Sequence, residues 1–358
     1  MSILNNINII SDIINYMRIL LVTSLPPPRA GMSLQGQYIL NILRDLGHKV
    51  RVFKINHRYI VKALLAIFYF LILPLYALFT DKVLIVSTVY GSFYFFTIPT
   101  LIYSKITGKP SILFFKGGKV TVTLKKIPFS KYAFKLADRI FVPGRFLHDV
   151  FIKYDIETHI LPDIIDTSYL KTNSDFTKGK YFLITRSLEK IYGIDIAIKA
   201  FHKAKPVLKD IKLIITGDGP ERKKIKYLIE RLKLNNYVIL KGECSASEIG
   251  NLLSNALALV NASFYDNFPN SILEAFYAKV PVISSDAGGI PYIIKHRRNG
   301  LLTRTGDIND MSEKMVFLVK NTEPIKNLIE QAHQDFYDLA LIYSNKKTNI
   351  EISKSLNS

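Results

Sequence analysis

Apolar runs rich in β-branched residues recur at 19–23, 49–53, 83–87, 111–115, 139–142 and 158–161, with helix-length segments between most of them. Such alternation is the rhythm of a parallel sheet covered by helices. Gln35 to Leu46 reads as one of the helices. Ile39, Leu40, Ile42, Leu43 and Leu46 give it a mostly one-sided apolar stripe, and Gly47 ends it. A polar stretch, Lys171 to Lys180, then interrupts the pattern. A second series follows, with strands at 181–185, 211–216, 237–241, 257–260 and 280–284 and helices at 193–204, 221–234, 245–254 and 270–279. Helix 221–234 keeps the helical period at Ile225, Leu228, Ile229 and Leu232.

The expected fold class is therefore α/β, with two Rossmann-like domains facing a central cleft. Residues 1–16 read as an N-terminal extension before a second candidate start at Met17. Residues 17–170 form the first domain, 171–180 a linker and 181–323 the second domain. Residues 324–358 form a C-terminal helix and a polar tail whose end reads as disordered. In open parallel sheets ligands bind beyond the carboxyl ends of the strands, so the loops there carry the chemistry.

Composition supports two cores, since 49% of the 358 residues are hydrophobic. The single cysteine, Cys244, excludes a disulfide framework and fits a reducing compartment. Charge changes the picture more. The chain carries a net +19, and between residues 46 and 137 fourteen lysines and arginines face one acid, Asp81. A solvated basic surface is one reading. Nucleic acid is not expected, because there is no zinc-ligand spacing, recognition-helix pattern or RNA-binding sheet signature. Attraction to an anionic membrane surface or to phosphate-bearing substrates is favoured, because the basic region encloses Ala63 to Phe79, seventeen uncharged and mostly apolar residues. That segment falls short of the ~20 residues a spanning helix needs, and Pro74 interrupts it. A helix apolar all round is buried in protein or in lipid. The expected location is cytoplasmic, peripheral to the inner face of the membrane.

Candidate chemistry is densest from Asn261 to Pro291. A polar loop leaves a strand near Val260, and Asn270 is placed to cap a helix beginning at Ser271. A helix start suits a phosphate. Glu274, in the first turn, can accept bonds from ribose hydroxyls or simply complement the helix dipole. Asp266 reads as a second ligand contact or as a turn residue. In a second segment, Thr185 to Asp195, Arg186 and Lys190 follow a strand directly and can clamp a diphosphate or form a solvated basic loop. Glycine turns at Gly217 and Gly219, at Gly31, and at Lys116, Gly117 and Gly118 follow other strands and are read equally well as plain turns.

Together these segments resemble the family 4 glycosyltransferases, which use nucleotide-sugars, have the two-domain GT-B fold and retain configuration. The resemblance spans about 17–322. Its most specific parts are Asp-Asn-Phe-Pro-Asn-Ser-Ile-Leu-Glu-Ala from Asp266, Val-Pro-Val-Ile-Ser-Ser-Asp-Ala-Gly-Gly-Ile-Pro from Val280, and Asn-Gly-Leu-Leu from Asn299. It implies transfer of a sugar to an envelope glycan or lipid-linked acceptor, as in polysaccharide or lipopolysaccharide synthesis, with a UDP-sugar favoured over a GDP-sugar. It implies catalytic roles for Arg186, Lys190, Asp266 and Glu274. Asp266 stands where the family has a glutamate, and Tyr192 stands just before Gly193 where the family lysine usually sits. The donor would be held by Gly31, Gly217, Gly219, Gly242, Asn267, Phe268, Pro269, Asn270, Ser271 and Ile272. Lys116, Gly117 and Gly118 would lie on the acceptor side. Neither cofactor nor metal is expected, in keeping with the lack of an Asp-x-Asp motif at a strand end. The rival expectations are a nucleotide-sugar epimerase on the same fold and a catalytically silent membrane-associated subunit.

Overall fold

The computed structural model describes residues 16–26, 31–55, 68–75, 79–88, 93–118, 120–127, 129–173 and 175–357. Residues 1–15, most of the Pro-rich turn after the first strand, Lys119 and much of the 63–79 segment lie outside the described residues.

The chain forms two compact units. Unit 2 is Ile165–Ala340, and unit 1 takes its residues from both sides of it, Met1–Ile164 and Leu341–Ser358. Unit 1 carries a six-stranded sheet of β1 (Arg18–Thr23), β2 (Lys49–Lys54), β3 (Lys82–Ser87), β4 (Ser111–Phe115), β5 (Arg139–Val142) and β6 (His159–Ile160), in the order β2-β1-β3-β4-β5-β6. All its pairings are parallel. The central strands are buried almost throughout, as strands with helices on both faces must be. The helices include α1 (Gly31–Asp45), α2 (68–75), α3 (Ile98–Thr107), α4 (Val120–Lys126), α5 (Ser130–Phe134) and α6 (Arg145–Ile152).

Unit 2 repeats the plan. Its strands are β7 (Tyr181–Thr185), β8 (Lys212–Thr216), β9 (Val238–Gly242), β10 (Ala258–Asn261), β11 (Val282–Ser285) and β12 (Leu301–Thr303). They are parallel and ordered β9-β8-β7-β10-β11-β12. This is the doubly wound arrangement in which the direction of winding reverses between the first and fourth strands, here β7 and β10. Helices α7 (Ile194–Leu208), α8 (Arg222–Arg231), α9 (Ala246–Ser254), α10 (Asn270–Tyr277), α11 (Ile290–Ile293), α12 (Ile308–Lys320) and α13 (Thr322–Leu339) complete the unit. Phe182, Ile184, Phe201, Leu213, Ile215, Ile225 and Val260 lie in its core.

Three expectations change. The polar stretch 171–180 lies inside unit 2, where Asn173 donates from its backbone to the Ala278 carbonyl at 2.7 Å. The polar end of the chain, expected to be disordered, is helix α14 (Lys346–Asn357). Its Thr348, Ile352 and Leu356 are buried, and the two apolar ones join Ile19, Leu21 and Ile39 in a core cluster of unit 1. Finally, α10 begins one residue early, with Pro269 at its N-cap in extended geometry and no side-chain cap from Asn270.

Candidate functional site

The loops after β7 and β8 touch each other, as do those after β10 and β11, and glycines make both contacts possible. Gly217 has φ +97°, and a Cβ there would lie 2.3 Å from the Arg186 carbonyl oxygen. A Cβ on Gly288, with φ +58°, would lie 2.1 Å from the carbonyl oxygen of Asp266. Neither site has room for a side chain, so the glycines hold the backbones of the two charged residues in place. Gly219 is pressed against Leu188 and Gly193 against Ala262 in the same way. These glycines shape the loops that carry the charges. Gly242 differs, since a Cβ there would meet only Arg222 Nη1 at 3.9 Å; its φ of +78° suits glycine, and its carbonyl accepts from the Gly217 amide at 2.6 Å.

The charged groups converge. Arg186 Nη2 bonds Asp266 Oδ2, with both side chains about one-seventh exposed at 16% and 14%. Asp266 Oδ1 accepts from the Asn267 amide at 2.8 Å. The Arg186 guanidinium carbon lies 5.0 Å from the centre of the Tyr192 ring. Glu274, expected in the first turn, lies just beyond it because α10 starts at Asn270, and it accepts from the Tyr169 hydroxyl at 3.0 Å. Its side chain keeps some accessible surface but is packed deeply enough that burial raises its carboxyl above the ordinary range, opposed by the Tyr169 bond and the Arg186 charge.

Four buried polar atoms at this place lack a hydrogen-bond partner among the described residues: Thr185 Oγ1, Arg186 Nε, Asn270 Oδ1 and Ser271 Oγ. Elsewhere among the described residues only His48 Nε2 and Asn349 Oδ1 share that condition. Unsatisfied buried polar groups are costly, so their concentration at one strand end and one helix start marks a place built to meet a polar ligand. Asn267 and Pro269 are buried and Phe268 half-buried beside them, while Ile272 is in the core.

The other expected residues lie on other elements. Lys190 is exposed on a short 3₁₀ turn, Lys190–Tyr192, and Tyr192 in that turn is the residue that reaches Arg186. Lys116, in unit 1, is committed to a buried ion pair with Asp163 and lies 3.5 Å from Gln35 Oε1. Gln35 in turn holds both backbone groups of Ile164, donating to its carbonyl at 2.7 Å and accepting from its amide at 3.0 Å. Lys116 thus braces the last strand end of unit 1. Gly31 opens α1, and Gly117 and Gly118 follow β4. Tyr169 was not foreseen. It lies 105 residues from Glu274, and no local pattern marks it.

In a doubly wound parallel sheet ligands bind at the reversal point, and Arg186, Asp266 and Glu274 stand there in unit 2. Comparison with known proteins narrows the reading. Residues 168–335 match the family described as glycosyl transferases group 1, a little under half of the chain. Among curated proteins, it is 29% identical over 174 residues to N-acetyl-alpha-D-glucosaminyl L-malate synthase of Bacillus anthracis, covering 48% of this chain and 45% of that one. It is 30% identical over 171 residues to poly(ribitol-phosphate) alpha-N-acetylglucosaminyltransferase of Staphylococcus aureus, covering 44% and 34%. The chain thus spans less than half the length of these two relatives. The crystal structure of Anabaena Alr3699/HepE in complex with UDP and glucose superposes with a TM-score of 0.73 at 17% identity, over 96% of this chain and 100% of that one. At that identity the likeness establishes the fold, GT-B with two Rossmann-like domains.

Proposed function

We propose that this chain is a retaining glycosyltransferase of the family 4 type that moves a sugar from a nucleotide-sugar to an envelope glycan or lipid-linked acceptor, working at the inner face of the cell membrane. The observation that carries the reading is the concentration of Thr185, Arg186, Asn270 and Ser271 polar atoms without partners beside the Arg186–Asp266 pair. A diphosphate would satisfy Arg186 Nε, Ser271 Oγ and the first amides of α10 together. Glu274, one turn into the helix, would then accept from the ribose hydroxyls. A UDP-sugar is favoured, since UDP is the nucleotide in the Anabaena complex of the same fold.

In this reading the bond from the anomeric carbon to the diphosphate oxygen breaks and its electron pair stays on that oxygen. Arg186 and the α10 amides stabilise the charge that develops there. A donor phosphate oxygen takes the proton of the attacking acceptor hydroxyl, which bonds to the same face of the sugar. No side chain forms a covalent intermediate and no metal is needed. What the protein contributes is position and charge.

Melting with UDP, GDP and ADP tests the nucleotide, since a ligand at 100 times its Kd stabilises by ~2.7 kcal/mol. Arg186→Ala and Glu274→Ala should abolish transfer while the variants remain folded. Near-normal turnover in either would remove the site assignment.

A further inference from the structure

We infer that α2 and the neighbouring edge strand β2 form the face through which unit 1 docks on an anionic bilayer. This deepens the membrane placement proposed above and rests on it only for its purpose, since its physics is independent of the donor site.

One side of α2 is firmly seated. Tyr69 and Leu73 are buried, the Tyr69 hydroxyl lies 2.6 Å from Thr100 Oγ1 on α3, and its ring lies 4.0 Å from that of Phe53 on β2. The other sides are apolar as well. Phe68, Phe70, Leu71, Leu75 and the following Phe79 are 54–69% exposed. Single exposed apolar residues are ordinary, but five within twelve positions on one anchored helix and its exit are not. A helix apolar all round and only half covered by protein calls for a second apolar phase. The surface extends onto α3, which the Tyr103 hydroxyl ties to the Pro74 carbonyl at 3.3 Å, and which exposes Ile102 and Ile106 on one stripe.

Charge identifies the occupant. β2 is the edge strand of its sheet and carries Lys49, Arg51 and Lys54. The Arg51 guanidinium carbon lies 5.5 Å from the centre of the exposed Phe79 ring. Arg18, Lys49, Arg51 and Phe79 line one hollow, so cations and apolar side chains share a surface there. The neighbouring acid, Asp81, is taken up by Arg18 at 2.7 Å. Aromatic and leucine side chains inserted among acyl chains, with lysine and arginine at headgroup level, are how peripheral proteins hold anionic membranes. A soluble polyanion would use the cations and leave the phenylalanines and leucines in water. A second copy of a chain with net charge +19 would bring like charges together on this face.

The test is flotation of the full chain with vesicles of equal phosphatidylcholine and phosphatidylglycerol. Binding should exceed that to pure phosphatidylcholine by about tenfold or more and weaken as salt rises. The pair Leu71→Glu and Leu75→Glu should reduce it by about tenfold or more, and so should Arg51→Glu with Lys49→Glu. All variants should keep the parent's melting temperature and its gain with UDP. Parent-like flotation of the leucine variant would overturn the assignment. So would a parent chain that stays in solution, even if it still transfers sugar to a water-soluble acceptor, a result that leaves the transferase reading standing. Concentration-dependent dimers abolished by the leucine changes would assign the face to a second copy instead.

Discussion

Arg186 meets a carboxylate and an aromatic ring, and each limits where its guanidinium can point. Asp266 was expected to touch the donor sugar or to fix its loop, and its two oxygens meet Arg186 and the Asn267 amide. It is therefore best treated as the residue that aims Arg186. Asp266→Asn should keep UDP affinity within about threefold while lowering turnover by ~10²-fold, the loss of one well-placed transition-state contact. Isothermal titration beside turnover measures both, and unchanged turnover would make Asp266 an ordinary turn residue. Glu274 gives a prediction of a different kind. Burial raises its carboxyl, so the folded state holds this proton more firmly than the unfolded chain does. Ionising it costs stability, and that cost appears as pH rises from the ordinary carboxylate range through the raised value. Glu274→Gln should thus melt above the parent at neutral pH, match it in acid below the ordinary range, and lose most of the gain with UDP. A Gln variant that melts lower at neutral pH would show that the carboxylate is stabilised where it sits. The positions of Arg186, Asp266 and Glu274 were legible because strand ends and helix starts have local signatures. Their partners were not: 80 residues separate Arg186 from Asp266 and 105 separate Tyr169 from Glu274.

Among the elements, strands were the most legible. Strands 181–185, 111–115 and 139–142 stand where the apolar runs placed them, because buried parallel strands are apolar on both faces. Helix ends were less so. α10 starts at Asn270 because Pro269 restricts the residue before it to extended geometry and itself fits the non-helical entry. The Asn270 side-chain oxygen is thereby left unpartnered at the candidate site and does not cap the helix. Helix α14 was missed because its apolar stripe is thin. Thr348, Ile352 and Leu356 recur at every fourth position among lysines, asparagines and serines, too few to outweigh a polar composition. Its role in the core yields a stability prediction. Leu356→Ala should destabilise unit 1 by about 2–5 kcal/mol, the range for a buried leucine, and urea unfolding followed by a probe in unit 1 measures it. A loss under about 0.5 kcal/mol would mean that the helix is dispensable to the core.

At the scale of the whole molecule, the two halves and their shared α/β plan follow from the alternation of runs. The boundary does not, since it lies at Ile164–Ile165 and again at Ala340–Leu341, and only the second unit is continuous in sequence. The proposed division of labour also predicts how turnover responds to chelators. If Arg186 and the α10 amides neutralise the leaving diphosphate, turnover should survive EDTA with less than about a twofold change. Complete loss, restored by magnesium or manganese, would require a metal in the mechanism. The discontinuity of unit 1 bears on how the chain is made. On the ribosome, residues 165–340 emerge as one uninterrupted stretch that holds every residue of its unit. Ile19, Leu21 and Ile39 emerge earlier but must wait for Ile352 and Leu356, which share their cluster and are translated after all of unit 2. The half of the molecule whose strands are synthesised first is thus the half whose core is completed last.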